Sequence, residues 1–200
     1  MIFDDRAVAE QALQLFQVQG AYLCNDAEKA LLEAVMFDKE RGVPAMRIIG
    51  KAPQTIALLA GFTVPDEIKL LMVPLTTIGP EEWLSYEKLS PVLGWYIVDS
   101  KEEAIAAAVT QLEFGGAGHS AVIFTEDEAV MTEYALRVPA NRVVWNQPSV
   151  QGTIGSLYNS LVPSLTLGCG ARGGNSCSEN VGYKNLLNIK KVARRDKAAA

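Results

Sequence analysis

The run Ile68-Lys69-Leu70-Leu71-Met72-Val73 is short and almost wholly apolar, and three later runs share its character: Val92-Leu93-Gly94-Trp95-Tyr96-Ile97-Val98, Ala121-Val122-Ile123-Phe124 and Val143-Val144-Trp145-Asn146. A strand with one face in water alternates apolar and polar residues, whereas a strand covered on both faces is apolar throughout. These runs therefore predict buried strands in a largely parallel sheet. Helical patterns alternate with them from end to end, which predicts an α/β layer fold, a largely parallel twisted sheet flanked by helices.

The helices announce themselves by their ends. One spans about Asp5 to Gln17 and stacks Val8, Ala12 and Leu15 beside Ala9, Leu13 and Phe16 on one face. A second starts at Asn25, with Glu28 at capping-box spacing, and is expected to run to about Gly42. Pro53 in a first turn and Gly61 past an end bracket a third. Ser100 with Glu103 opens a fourth, which passes through Ala104 to Leu112 and stops at Gly115 and Gly116. The last stretch, Leu186 to Ala193, mixes apolar and polar residues in a basic setting and reads as an exposed or subunit-crossing strand. Ala198 to Ala200 read as tail.

Composition removes several classes of function. With 200 residues, 49% of them apolar, the chain can bury one sizeable core, and no run approaches the roughly 18 apolar residues of a membrane span. Asp4 and Asp5 occupy the place of a signal peptide's basic start, so a cytoplasmic protein with no membrane partner is expected. Three cysteines, Cys24, Cys169 and Cys177, are too few for a disulfide framework and lack metal-site spacing. A single histidine, His119, rules out mechanisms that need two imidazoles. Beyond Gly170 the chain turns basic, with Arg172, Lys184, Lys190, Lys191, Arg194, Arg195 and Lys197 against Glu179 and Asp196. Nucleic acid or phosphate is one reading of such a tail; a solvated edge whose lysines block unwanted pairing is the simpler one.

Glycine gathers at Gly115-Gly116-Ala117-Gly118, at Gly152-Thr153-Ile154-Gly155 and at Gly168-Cys169-Gly170-Ala171-Arg172-Gly173-Gly174. None has the lysine or the strand context of a phosphate-binding loop. The first two fit turns as well as ligand approach, while the third is long and polar enough to be a site wall. His119 stands at the entrance of a strand, where it is either a structural residue or a proton carrier. Glu87 heads Glu87-Lys88-Leu89-Ser90-Pro91 just before an apolar strand, where it is either solvated or an acceptor for a ribose diol.

Taken together these stretches resemble a known family. Ser164-Leu165-Thr166-Leu167-Gly168-Cys169-Gly170, then Gly173-Gly174-Asn175-Ser176, then Ser178-Glu179-Asn180-Val181-Gly182 look like the carboxy-terminal signature of CoA-acylating aldehyde dehydrogenases. The likeness extends to the aldehyde dehydrogenase half of bifunctional aldehyde-alcohol dehydrogenases. Glu87 to Pro91, Gly115 to Ser120, and Asn146-Gln147-Pro148-Ser149 with Gly152 match the same pattern in the same order.

The resemblance implies an oxidoreductase that oxidises a small aldehyde with NAD and passes the acyl group to coenzyme A, or runs in reverse. It assigns Glu87, with Pro91, to the nicotinamide ribose; His119 to proton transfer beside the nucleophile; and Thr166, Leu167 and Gly168 to the substrate or CoA pocket. A CoA thiol of ordinary pKa, about 8.5, is only a few per cent thiolate at neutral pH, so a proton-handling neighbour has work there. The aldehyde stays open among acetaldehyde, propionaldehyde, succinic semialdehyde and a sulfonated aldehyde, as does NAD against NADP.

The same resemblance places the nucleophilic cysteine before the helix that matches Asp5 to Gln17, and a cofactor-binding domain before that. Residues 1–185 are thus expected to be a catalytic domain without its nucleophile segment, and 186–197 an oligomerisation strand and tail. The isolated chain is expected to be inactive, to bind NAD weakly, and to form a homo-oligomer. Cys24, Cys169 and Cys177 receive no nucleophilic role. The alternative is a non-catalytic assembly or ligand-binding module derived from the enzyme.

Overall fold

In a computed structural model that describes residues 1–195, the chain order is β1 (Ile2–Phe3), α1 (Arg6–Val18), β2 (Ala21–Leu23), α2 (Asp26–Met36), β3 (Phe37–Asp38), β4 (Val43–Pro44), α3 (Pro53–Ala60), β5 (Leu70–Leu75), β6 (Val92–Ile97), α4 (Lys101–Phe114), β7 (Gly118–Ile123), α5 (Glu128–Arg137), β8 (Ala140–Trp145) and α6 (Ser149–Ile154). Four strands pair in parallel in the order β1-β6-β5-β2, and β7 and β8 form a second parallel pair. The strands are parallel for the reason the sequence suggested. Leu71 and Val73 of β5 face α2 and α3, packing with Leu32, Met36, Ile56 and Ala60. Met72, between them, turns to the opposite face and packs with Ala9 of α1 and Trp95. Both faces of β5 are covered, so alternation has no use there. Each such fully buried Leu, Ile or Met contributes about 1.5–3 kcal/mol relative to exposure. A third cluster, with Ile105, Ala108, Ala121, Tyr134 and Val138, joins α4 and α5 to β7.

The helix ends follow local chemistry. Asp5 caps α1 by accepting from Val8 N, and the Asn25 capping box closes both ways: Asn25 Oδ1 accepts from Glu28 N at 3.0 Å, and Glu28 Oε2 from Asn25 N at 2.9 Å. Pro53 opens α3 and Gly61, at φ 100°, ends it. Ser100 Oγ accepts from Glu103 N at 3.2 Å to start α4. Substituting Asn25→Ala should cost about 1 kcal/mol and lower the melting temperature by about 2–4 °C, as read by circular dichroism.

Other expectations need correction. The second helix stops at Met36, short of Gly42, because Phe37-Asp38 pairs back on Val43-Pro44; Asp38 Oδ1 accepts from Arg41 N at 3.1 Å and Gly42 takes φ 66°. The strand expected from Ile68 begins at Leu70, since Ile68 N closes a turn onto Pro65 O at 3.2 Å. On α1 the apolar face is wider than the buried one: Ala9 is buried, whereas Val8 and Leu15 are exposed. Tyr183–Leu186 is a short 3-10 turn, residues 187–193 have no regular secondary structure in the single chain, and Leu186, Ile189 and Val192 are exposed; pairing of this stretch with a second subunit belongs to the function proposed below. Ala198 to Ala200, with Asp196 and Lys197, lie outside the described residues. Among the described residues no helix is long and apolar enough to cross a membrane.

Candidate functional site

Arg142 organises the part of the molecule where the sequence motifs meet. It sits in β8 opposite Ser120 of β7 and is 5% exposed. Its guanidinium donates to Ser120 Oγ at 3.3 Å, His119 O at 3.2 Å, Ser178 O at 3.3 Å and Gly168 O at 2.6 Å. No acidic side chain pairs with it among the described residues. A buried charge is costly unless its hydrogen bonds are made, and the planar fork of arginine reaches several acceptors at once, as an ammonium cannot. Two of the acceptors belong to residues the sequence singled out, His119 and Gly168, so this one side chain brings them together.

The glycines make that meeting possible by letting backbones touch. A Cβ at Gly118, which has φ 80°, would overlap the Cys169 carbonyl oxygen and stand 2.8 Å from Gly173 N. One at Gly168 would overlap the Cys177 carbonyl, and one at Gly170 would lie 2.7 Å from Asn141 Nδ2. Residues 166–170 run antiparallel to 177–181, with Gly168 N donating to Glu179 O and Gly170 N to Cys177 O, both at 2.9 Å. The third glycine cluster, read from sequence as a site wall, is thus a stack of backbones in which the missing side chains serve packing; Gly174 alone in it faces open space within 4 Å. Thr166 is exposed on this stack, and Leu167 is half-buried.

His119 is exposed at the amino end of β7, its Nδ1 2.9 Å from Ser120 Oγ. Glu87 lies on a neighbouring turn. Its carboxylate is exposed and has no hydrogen-bond or ion-pair partner among the described residues. The turn is held from beneath: Lys88 Nζ donates to Leu84 O at 2.6 Å and Tyr86 O at 2.8 Å, and Leu71 N donates to Pro91 O at 3.0 Å. Burial pushes the Lys88 ammonium down to about 8, against the pull of Glu82 and Glu87. The Glu87 turn reaches the His119 segment through Tyr86, against which Gly115 packs so closely that a Cβ would stand 2.7 Å from the ring. His119 and Gly168 therefore share a direct link, whereas Glu87 joins them only through the end of α4. A hollow of about 340 Å³ between β6 and α4, lined by Tyr96, Val98, Glu103 and Thr110 among others, includes none of these residues.

The cysteines are packing residues or loop staples. Cys24 is buried in the main cluster, and burial, with Glu28 adding, pushes its thiol up to about 12. Cys177 Sγ accepts from Glu179 N at 3.4 Å and from Asn185 Nδ2 at 3.2 Å, and Cys169 Cβ lies under Gly173. Iodoacetamide should label Cys24 in unfolded chain only; mass spectrometry finding it alkylated as readily as Cys177 in folded protein would contradict this packing.

Sequence reasoning missed Arg142 and gave Ser120 no role of its own. The usable signal was an arginine directly ahead of the apolar run Val143-Val144-Trp145, a place where a side chain points into a covered face.

This fold is shared with solved aldehyde dehydrogenases of the acylating kind. Over 96% of its length the chain is 42% identical to aldehyde-alcohol dehydrogenase 2 of Entamoeba histolytica, of which it spans 23%. An acetylating aldehyde dehydrogenase structure from Geobacillus thermoglucosidasius, 38% identical, superposes on 96% of this chain and 43% of that one with a TM-score of 0.85. No family model matches the chain. The chain is homologous to a segment of the acetylating aldehyde-alcohol dehydrogenases and has the fold of acylating aldehyde dehydrogenases. It spans less than half the length of these relatives. More distant solved structures of the same fold hold cofactors: an engineered glycolyl-CoA reductase with bound NADP+ (21% identity, TM-score 0.67) and a Rhodopseudomonas palustris propionaldehyde dehydrogenase with bound CoA (20%, TM-score 0.69).

Proposed function

We propose that these residues form the part of an NAD-dependent, CoA-acylating aldehyde dehydrogenase that handles a proton, holds the nicotinamide ribose and lines the acyl pocket. The observation that carries the reading is the Arg142 link between the His119 segment and the Thr166-Leu167-Gly168 stretch, two motifs that the resemblance assigns to one site. NAD, when bound, supplies the hydride acceptor, and coenzyme A the thiol that takes the acyl group.

The residues fit those partners. Glu87 has both carboxylate oxygens free to accept from a ribose diol, on a turn that Lys88 and Pro91 hold still. His119 is open to a ligand on its Nε2 side. Thr166 and Leu167 belong to the 166–170 backbone stack that Arg142 ties to the His119 segment. Burial pushes the Cys24 thiol up to about 12, and the family pattern gives none of the three cysteines the nucleophile's place, so the attacking sulfur is assigned to a segment other than these 200 residues. A cytoplasmic setting and a homo-oligomer through the exposed apolar residues Leu186, Ile189 and Val192 go with this reading.

A chimera tests it: the homologous segment of an acetylating aldehyde dehydrogenase is replaced by this chain, and acetaldehyde-dependent NADH formation with CoA is followed. Activity should survive the exchange and fall by about 10²–10⁴ on His119→Ala. An active chimera indifferent to His119→Ala would sink the proton-handling role, and NADH formation by the 200 residues alone would sink the assignment of the nucleophile elsewhere.

A further inference from the structure

Arg142, Ser120 and His119 form a chain of hydrogen bonds whose proton positions can be worked out by matching donors to acceptors. Ser120 and Arg142 stand opposite each other in the β7–β8 register, so both side chains leave the same face. Arg142 Nε donates to Ser120 Oγ at 3.3 Å, and His119 Nδ1 lies 2.9 Å from that same oxygen. A guanidinium has no acceptor, so Oγ must accept on the Arg142 side. The hydroxyl has one proton of its own, and among the described residues His119 Nδ1 is the acceptor within its reach. Were the ring proton on Nδ1, Ser120 would receive two donors beside a cation while its own hydrogen met no acceptor among the described residues. With Nδ1 bare, the hydroxyl donates to it and each group is matched. Arg142 also polarises the Ser120 O–H, which makes that oxygen a better donor and a poorer acceptor. The remaining guanidinium protons hold His119 O, Gly168 O and Ser178 O, so the backbone of His119 is tied to the two loops that carry Gly168 and Ser178.

We propose that Arg142 and Ser120 are positioning residues that hold the neutral His119 ring in its Nε2–H tautomer, so that it presents an N–H donor, and not a free lone pair, to whatever binds beside it. The catalytic consequence rests on the function proposed above; the tautomer itself does not. With its proton on Nε2, the ring is not the base that takes a proton from the CoA thiol. The proton it handles is its own Nε2–H, directed at the oxygen or sulfur that gathers negative charge as the acyl group moves.

The single histidine makes this measurable in the chain itself, because ¹⁵N-labelled protein has one imidazole spin system. Long-range ¹H–¹⁵N correlation at about pH 9, well above the ~6.5 of an ordinary imidazole, should show Nε2 protonated. Nδ1 should be unprotonated and displaced upfield by the Ser120 hydrogen bond. Ser120→Ala should remove that displacement and let the Nδ1–H form appear, and Ser120→Thr, which keeps the hydroxyl, should restore it. Comparing wild-type protein with the same chain in urea gives the Nδ1 displacement without any variant. A protonated Nδ1 in the wild type, or ring nitrogens that match those of the unfolded chain or of Ser120→Ala, would overturn the proposal. No turnover is measured, so this result and that of the chimera stand or fall separately.

Discussion

Arg142→Met should cost about 3 kcal/mol, since Gly168 O and its neighbouring acceptors would lose their donors and buried unsatisfied groups cost about 1–3 kcal/mol each. For a chain of this size that is a fall in melting temperature of about 6–12 °C. Methionine is close to arginine in length and fills the space, so packing loss contributes little. What disappears is the tie between β7, β8 and the loops at 166–170 and 177–181. Amide exchange should therefore rise first at Gly168, Gly170 and Val181, whose N–H groups bond between those two loops, and least in β5. Arg142→Lys should fall between, because an ammonium keeps the charge but reaches fewer of the acceptors. A melting temperature within 2 °C of wild type for Arg142→Met, roughly the effect of an ordinary surface change, would show that the guanidinium is not what holds the loops.

The physical distinction between what could be read from sequence and what could not runs through these same residues. The covered strands were legible, because burial on both faces leaves an apolar run in the sequence, as in Leu70 to Leu75. Helix ends were legible wherever a side chain does the capping, as at Asn25 and Ser100. The helix expected to reach Gly42 failed because its true end at Met36 has no capping residue to mark it and depends on a hairpin contact, Phe37 with Pro44. The two- and three-residue strands β1 and β2 are too short to have a period, and pairing with β6 and β5 alone defines them. Helix α5 had a signal that went unused: Asp127 accepts from Ala129 N and Val130 N as an N-cap should. In the candidate site, resemblance picked out His119 and Gly168, but the side chain that joins them lay outside every motif. Arg142 acts through register and burial, and one sequence taken by itself states neither.

Gly118→Ala should be more damaging still. Two independent costs fall on that position. Its φ of 80° lies in the left-handed region, where a residue with a Cβ pays about 1–2 kcal/mol. Its Cβ would also overlap the Cys169 carbonyl and press on Gly173 N at 2.8 Å, both backbone atoms of a loop already tied down on its other side. Flexible side chains can swing away from such a contact; a carbonyl bonded to its neighbours moves only with its whole segment. Overpacking of this sort costs about 1–3 kcal/mol more, so the sum is on the order of 4 kcal/mol, and a melting-temperature loss of about 8–16 °C follows. Gly174 separates the two terms. It has φ 70°, yet nothing lies within 4 Å of its added Cβ. Gly174→Ala should therefore show the strain alone, about 1–2 kcal/mol. Equal losses at the two positions would mean that backbone conformation accounts for both, and that the close seat of β7 on the Cys169 loop has no energetic part in holding His119 where it stands.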